Sequence, residues 1–253
     1  MKKKLVMSLL AVSVVGALFA QTKVIAHRGY WDCEGSAENS ITALVKASEA
    51  GVYGSEFDVS VTADGIPVVN HDDDIQGFVI ETTDYARIKE LKLGNGETLP
   101  TLEQYLIKGK ELPGVQLILE IKPHKSVENE NRAAREVVKL VKKYGLESRV
   151  DYISFSMNIC KELVRLAPGA PVYYLEGDVE PAELKNLGMA GMDYHYKVLQ
   201  KHPEWIQQAR ELGMKTNVWT VNKKSVMRWL IDQKVDYITT NKPVELKQLL
   251  EQK

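Results

Sequence analysis

Apolar residues along this chain fall into two alternating patterns: short runs rich in β-branched and aromatic residues, and longer stretches with apolar positions at helical spacing. The short runs predict strands at about residues 23–27, 54–59, 116–121, 151–155, 171–175, 191–196, 216–221 and 236–240. The first helical stretch is ITALVKASEAG, which Asn39 or Ser40 can cap and Gly51 can end. Others are predicted near 101–110, 128–144, 157–166, 180–187, 202–212, 222–233 and 243–251. Eight strands, each followed by a helix, make the pattern of a (β/α)8 TIM barrel, an α/β fold with its active site at the C-terminal ends of the strands.

The run from Ile66 to His71 stands outside this alternation, because only Thr62 to Gly65 separates it from the second strand. A parallel crossover needs far more chain than that. The Asp64-Gly65 pair predicts a two-residue hairpin loop instead. Such a loop pairs Ala63 with Ile66 and, counted outward, sets Asp58 opposite His71. The remainder of the stretch at roughly 60–98, with GNG at 94–96, reads as a small insertion before the second helix. Residues 21–253 read as one barrel domain, without internal repeat or low-complexity tract.

Residues 1–20 follow a different rule. Lys2, Lys3 and Lys4 precede an uncharged run from Leu5 to Ala20, the pattern of a signal peptide cleaved before Gln21. The run is shorter than the roughly 20 apolar residues of a membrane span, so no stable membrane anchor is expected after cleavage. An exported protein, periplasmic or secreted, is the expectation. Three of the 33 basic residues leave with the signal, and the 30 that remain against 34 acidic ones give a net −4. That balance argues against a nucleic-acid partner. Cys33 and Cys160 are the only cysteines, too far apart for a paired-thiolate motif. An oxidising compartment allows one disulfide between them, and two inert thiols are the simpler expectation.

Charged residues in predicted barrel strands are the first sign of chemistry. Glu56 and Asp58 flank Phe57 and, by strand alternation, share one face. Burying them without partners would be costly. The third strand ends in LILEIK, with Glu120 and Lys122 together on a face. Three carboxylates on neighbouring strands make a hard oxygen site for one divalent cation, Ca2+ or Mg2+. Zinc fits less well, because no HExxH, HxH or cysteine pair accompanies the histidines at 27, 71, 124, 195 and 202. His124 and His202 read as surface residues and His195 as a core histidine. His27 and His71 differ, since each ends a strand where barrel chemistry belongs. Arg28 follows His27, and Gly29 permits a sharp turn there. Phosphodiester cleavage needs a cation, guanidinium or ammonium groups for phosphate, and two proton-transfer groups. Glu56, Asp58 and Glu120 supply the first, Arg28 and Lys122 the second, and His27 and His71 the third.

The ordered set HRG at 27–29, ENS at 38–40, EFD at 56–58, HD at 71–72, EIK at 120–122 and WTVN at 219–222 resembles the glycerophosphodiester phosphodiesterase family. The linking stretches TADGIPVVNHD and ETLPTLEQYL resemble it too, so the likeness spans nearly the whole mature chain. It implies a barrel enzyme that hydrolyses small-molecule glycerophosphodiesters to sn-glycerol 3-phosphate and an alcohol. It also implies Glu56, Asp58 and Glu120 as metal ligands, His27 and His71 as the catalytic pair, Arg28 and Lys122 as phosphate contacts, and Trp219 as an aromatic flanking the substrate. Asn39 is expected to cap a helix rather than touch substrate. The attacking group is either the glycerol 2-hydroxyl, through a cyclic phosphate, or water. Two departures stand out: Asn241 in ITTNKP where the family commonly has an acidic residue, and QGFVIE where an arginine often follows the HD motif.

Two rival readings share these residues. A phospholipase-type enzyme acting on intact lipids would need an exposed apolar rim, for which the insertion offers Phe78, Val79 and Ile80. A noncatalytic barrel that binds phosphoryl ligands would be expected to have lost a carboxylate or a histidine, and none is lost.

Overall fold

The structure is a computed structural model that describes residues 21–252. The expected signal peptide at 1–20 lies outside the described residues. Strand β1 (Lys23–Ala26) leads into helix α1 (Ile41–Glu49) and strand β2 (Gly54–Val61). The hairpin and insertion follow as β3 (Pro67–Val69), the two-residue strands β4 (Asp74–Ile75) and β5 (Phe78–Val79), and α2 (Tyr85–Ile88). Helices and strands then alternate through α3 (Leu102–Glu111), β6 (Gln116–Ile121), α4 (Val127–Tyr144), β7 (Val150–Ser154), α5 (Met157–Leu166), β8 (Val172–Tyr174) and α6 (Pro181–Asn186). The chain ends with β9 (Gly191–His195), α7 (Tyr196–Lys201), α8 (Glu204–Glu211), β10 (Lys215–Trp219), α9 (Lys224–Asp232), β11 (Tyr237–Thr240) and α10 (Pro243–Glu251).

Strands β1, β2 and β6 to β11 pair in parallel, and contacts of β1 with both β2 and β11 close the eight-stranded ring. This is the (β/α)8 barrel expected from the alternating pattern. The helices form where local chemistry starts and stops them. Ser40, Ser126 and Ser156 accept backbone N–H groups at the starts of α1, α4 and α5, and Thr101 with Gln104 builds a capping box on α3. The helix predicted near 202–212 is α8, and one helix was not predicted: α7 starts directly after β9 with no turn residue to announce it, and His202-Pro203 separates it from α8.

Ile25, Ile118 and Tyr173 pack in the barrel interior in one cluster with Ile153 and Leu175, which also line the cavity at the strands' C-terminal ends. Packing there is tight: a Cβ on Gly191 would lie 2.1 Å from the Lys215 carbonyl and 2.7 Å from the Tyr173 ring. A larger apolar layer joins the outer strand faces to the helices, with Phe57, Tyr105, Val137, Leu163 and Leu230 among its buried members. The insertion carries its own small core of Val68, Ile75, Ile80, Ile88 and Leu99. Phe78 packs against that core and Ile80 is buried in it, so only Val79 of the expected apolar rim is exposed. No helix among the described residues is long and apolar enough to cross a membrane. Cys33 and Cys160 are both free thiols, Cys160 buried.

The hairpin register differs from the expectation. Val59 pairs with Val69, Ser60 with Val68 and Val61 with Pro67, which brings Asn70, not His71, opposite Asp58. The Asn70 N–H donates to the Asp58 carbonyl at 3.1 Å. The loop has three residues, Ala63, Asp64 and Gly65, because Thr62 N–H donates to the Ile66 carbonyl at 3.0 Å. Gly65, at φ +90°, supplies the left-handed position such a loop needs. The Asp64 carboxylate accepts from the Thr62 hydroxyl and from Tyr85 N–H, binding the longer loop to the insertion.

Candidate active site

The C-terminal ends of β1, β2 and β6 bring the charged residues together. Asp58 and Glu120 are directly paired positions of adjacent parallel strands, and Glu56 lies one pleat below Asp58 on the same face. One carboxylate oxygen from each of the three lies within 4.8 Å of those from the other two, and all three side chains are buried. Lys122, at the end of β6, reaches back so that its Nζ lies 2.9 Å from Glu120 Oε1 and 3.4 Å from Asp58 Oδ1.

This crowding governs the protonation of the trio. Burial, then the charges of Asp58 and Glu120, hold the Glu56 carboxyl well above the usual carboxylate range. Burial and Asp58 push Glu120 up to about 7, against the pull of Lys122. Burial also works against the Asp58 charge, but Lys122, His71, Asn39 and Arg28 outweigh it and hold Asp58 below its ordinary value. Buried like charges this close call for a cation, and hard carboxylate oxygens suit one. The trio can hold a metal ion.

The loop after β1 approaches the trio closely. Arg28 takes a left-handed conformation at φ 54°, aiming its backbone N–H at Glu56 Oε2 2.6 Å away. Gly29, at φ +75°, packs under α1, where an added Cβ would meet Ala43 at 2.6 Å. The Arg28 guanidinium pairs with Glu38 at 2.6 Å and lies 3.8 Å from Asp58. Its Nε is buried without a hydrogen-bond partner, a donor left for a ligand oxygen.

The two histidines are held differently. His27 Nδ1 is 2.7 Å from Asn241 Oδ1. An amide oxygen only accepts, so Nδ1 carries the proton and Nε2 keeps its lone pair. Burial first, then Arg28, lowers the His27 pKa to about 4, so the ring is neutral near pH 7. His71 Nδ1 lies 2.7 Å from the carboxylate of its neighbour Asp72, and the ring is about one-third exposed (37 %). With His71 past the end of the hairpin ladder, its ring still reaches the site and acts on the charge of Asp58.

His27, Arg28, Glu56, Asp58, His71, Glu120, Lys122 and Trp219 line one cavity of about 110 Å³. Every residue proposed from sequence is therefore on it. Ile153, Phe155, Leu175 and Trp219 form its apolar wall, with Trp219 edge-on to Phe155 at 5.3 Å and fixed by its indole N–H to the Asp193 carbonyl. A larger hollow of about 250 Å³ lies towards the insertion, lined by Ser60, Asp73, Glu81 and His124, and lacks the converging carboxylates.

Other residues take places the sequence did not announce. Ser40 caps α1, whereas Asn39 is buried against Asp58, which it grips by side chain and backbone. His195, expected in the core, is partly exposed and sits edge-on to Trp219 at 5.2 Å. His124 is a staple rather than a surface residue: its Nδ1 donates to the Lys122 carbonyl and its Nε2 accepts from Val61 N–H. His202 stacks on Trp205 away from the site. Asp193 lines the cavity floor, fully buried, with its carboxyl pushed up to about 8 by burial and by Glu120. The signal for Asp193 was present in GMDYH, a charge in an otherwise apolar strand, as in EFD.

Comparison with known proteins agrees with this geometry. The model of the glycerophosphoryl diester phosphodiesterase family matches residues 27–245. A glycerophosphodiester phosphodiesterase from Caldanaerobacter subterraneus is 32 % identical over 244 residues, 89 % of this chain and 96 % of the relative. The crystal structure of a glycerophosphodiester phosphodiesterase from Parabacteroides distasonis superposes with a TM-score of 0.91 at 54 % identity, covering 92 % of this chain and 98 % of the other. A phosphodiesterase from Oleispira antarctica, solved in complex with its product sn-glycerol-3-phosphate, superposes with a TM-score of 0.77 at 26 % identity over 91 % and 97 % of the two chains. The chain therefore belongs to the glycerophosphoryl diester phosphodiesterase family and is a phosphoric diester hydrolase acting on glycerophosphodiesters.

Proposed function

We propose that the enzyme releases sn-glycerol 3-phosphate and an alcohol using one divalent cation, Ca2+ or Mg2+, held by Glu56, Asp58 and Glu120. The observation that carries this reading is the buried carboxylate trio, set beside Lys122 and Arg28 in a cavity that two histidines share. A bound cation would polarise a phosphoryl oxygen and orient the substrate. Arg28 and Lys122 contact the other phosphoryl oxygens and stabilise the charge that develops on them. Trp219 flanks the substrate along the apolar wall.

His27 starts as the base, because Asn241 keeps the proton on Nδ1 and leaves Nε2 free. It takes a proton from the attacking hydroxyl, either the glycerol 2-hydroxyl or water. His71 starts as the acid. Asp72 orients its ring and offsets the charge of the doubly protonated form, and the proton passes to the departing alcohol oxygen. Action on intact lipids is disfavoured because Ile80 is buried and Phe78 packs on the insertion core. The lysine-led uncharged segment at 1–20 supports export to the periplasm or outside the cell.

The test is sn-glycerol 3-phosphate release from glycerophosphocholine, measured beside a phospholipid, with Mg2+, with Ca2+ and after chelation. Release that needs cation and stops with chelator is the expected result. Cation-independent release would overturn the metal assignment.

A further inference from the structure

Among the described residues, Asp193 is the one ionisable group on the cavity that the proposed chemistry leaves unused. It belongs to β9 and lies two residues below His195, while His27, Lys122, Phe155 and Trp219 stand at or beyond the strand ends. Its carboxyl is therefore on the floor of the cavity.

The carboxyl is fixed from one side only. Oδ2 accepts from Asn217 Nδ2 at 2.9 Å. Asn217 cannot turn away, because Nδ2 also donates to Thr239 Oγ1 at 3.0 Å and Oδ1 accepts from Val218 N–H at 2.9 Å. Above, Trp219 is anchored to the Asp193 carbonyl. The other carboxyl oxygen, Oδ1, is buried and has no hydrogen-bond partner. Orphaned polar atoms of this kind are rare in folded proteins and point to a missing partner. Thr239, the other polar side chain on the floor, already has its hydroxyl engaged with Asn217.

The shape of the cavity selects the partner. Its walls are charged on one side and apolar on the other, and at about 110 Å³ it is small. The variable alcohol of a diester then extends towards the mouth, and the invariant arm occupies the closed end. In a glycerophosphodiester that arm is a polyol, with a hydroxyl able both to donate and to accept.

We propose that Asp193 Oδ1 hydrogen-bonds the terminal hydroxyl of the glycerol arm and so makes the enzyme selective for that arm. This rests on the phosphodiesterase reading of the site. A buried group built to bond a hydroxyl discriminates strongly against the analogue without it, because the group is then left unpaired.

The test compares glycerophosphocholine with its analogue in which propane-1,2-diol replaces glycerol, so that the secondary hydroxyl is kept and the terminal one is lost. In the wild-type enzyme kcat/KM should favour the glycerol substrate by at least about tenfold. In Asp193→Ala and in the volume-matched Asp193→Leu that preference should shrink to within about threefold. Equal rates on the two substrates in the wild type would overturn the proposal without any variant, so it stays testable if both variants misfold. A preference that survives in a folded variant would overturn it too, as would an equal loss on both substrates, which marks a purely structural role. Hydrolysis of neither substrate by the wild type with either cation would instead sink the phosphodiesterase reading, and this proposal with it.

Discussion

Asn39 grips Asp58 twice: its Nδ2 donates to Asp58 Oδ2 at 2.9 Å, and its Oδ1 accepts from the Asp58 backbone N–H at 3.0 Å. The residue reaches this pose in a left-handed conformation, φ 61°, one position before the Ser40 cap. It thus orients a proposed metal ligand without being one. Asn39→Ala should weaken cation affinity by about 10- to 100-fold, as outer partners of metal ligands do. Titration calorimetry of the purified enzyme with Mg2+ or Ca2+ measures this directly, and unchanged affinity would exclude the role.

Removing a repelling carboxylate should separate stability from activity. With no cation bound, Glu56→Gln should raise the melting temperature by about 2–4 °C, corresponding to ~1 kcal/mol in a chain of this size. The same variant should lose at least about tenfold in cation affinity. Thermal melts in chelator and calorimetry test both, and a lowered melting temperature would contradict the repulsion.

The same groups set a pH dependence. Glu120, at about 7, and Asp193, at about 8, have folded-state values above those of an unfolded chain. Their protonated forms favour folding, so their contribution is fully present below the unfolded values near 4. It is lost as pH rises through about 7 and then 8. Chelated enzyme should therefore become less resistant to urea between pH 5 and 8, and saturating cation should flatten that decline. His27, whose value falls to about 4, contributes oppositely: its stabilisation is present above about 6.5 and lost as pH falls through 4.

For the proton-transfer pair, His27→Ala and His71→Ala should each lower kcat by about 10²- to 10⁴-fold. Turnover within a few-fold of wild type in both would end the two-histidine proposal. Asn241→Asp gives a finer reading. A carboxylate facing His27 Nδ1–H favours the imidazolium, so the acid limb of the kcat/KM profile should move to higher pH. An unmoved limb would mean that His27 is not the group whose deprotonation that limb reports.

The fold was legible because burial imposes periodicity, and a closed barrel repeats it eight times. The carboxylates were legible for the converse reason: Glu56, Asp58 and Glu120 violate that pattern. What sequence could not supply was geometry decided by side-chain bonding in loops. Asp-Gly favours a two-residue turn by backbone preference, yet the Thr62 hydroxyl and Tyr85 N–H hold Asp64 in a three-residue loop. His71 reaches the cavity all the same, from beyond the ladder instead of across it. Asn39 and Ser40 are chemically interchangeable as caps, and only the left-handed backbone at 39 sends one of them to Asp58. Asn241 was noticed as a departure, but its bond to His27 joins the two ends of the barrel, 214 positions apart.

The hairpin loop also decides which part of the molecule owns the proposed acid. His71 follows β3 and leads into a segment whose apolar residues, Ile75, Ile80, Ile88 and Leu99, form a cluster separate from the barrel core. Cooperative units with separate cores open with separate free energies. Hydrogen exchange should find the amides of residues 74–91 opening at a lower free energy than those of β2 and β6. Each such excursion would carry His71 away from a barrel that stays folded, switching the enzyme off and on without unfolding it.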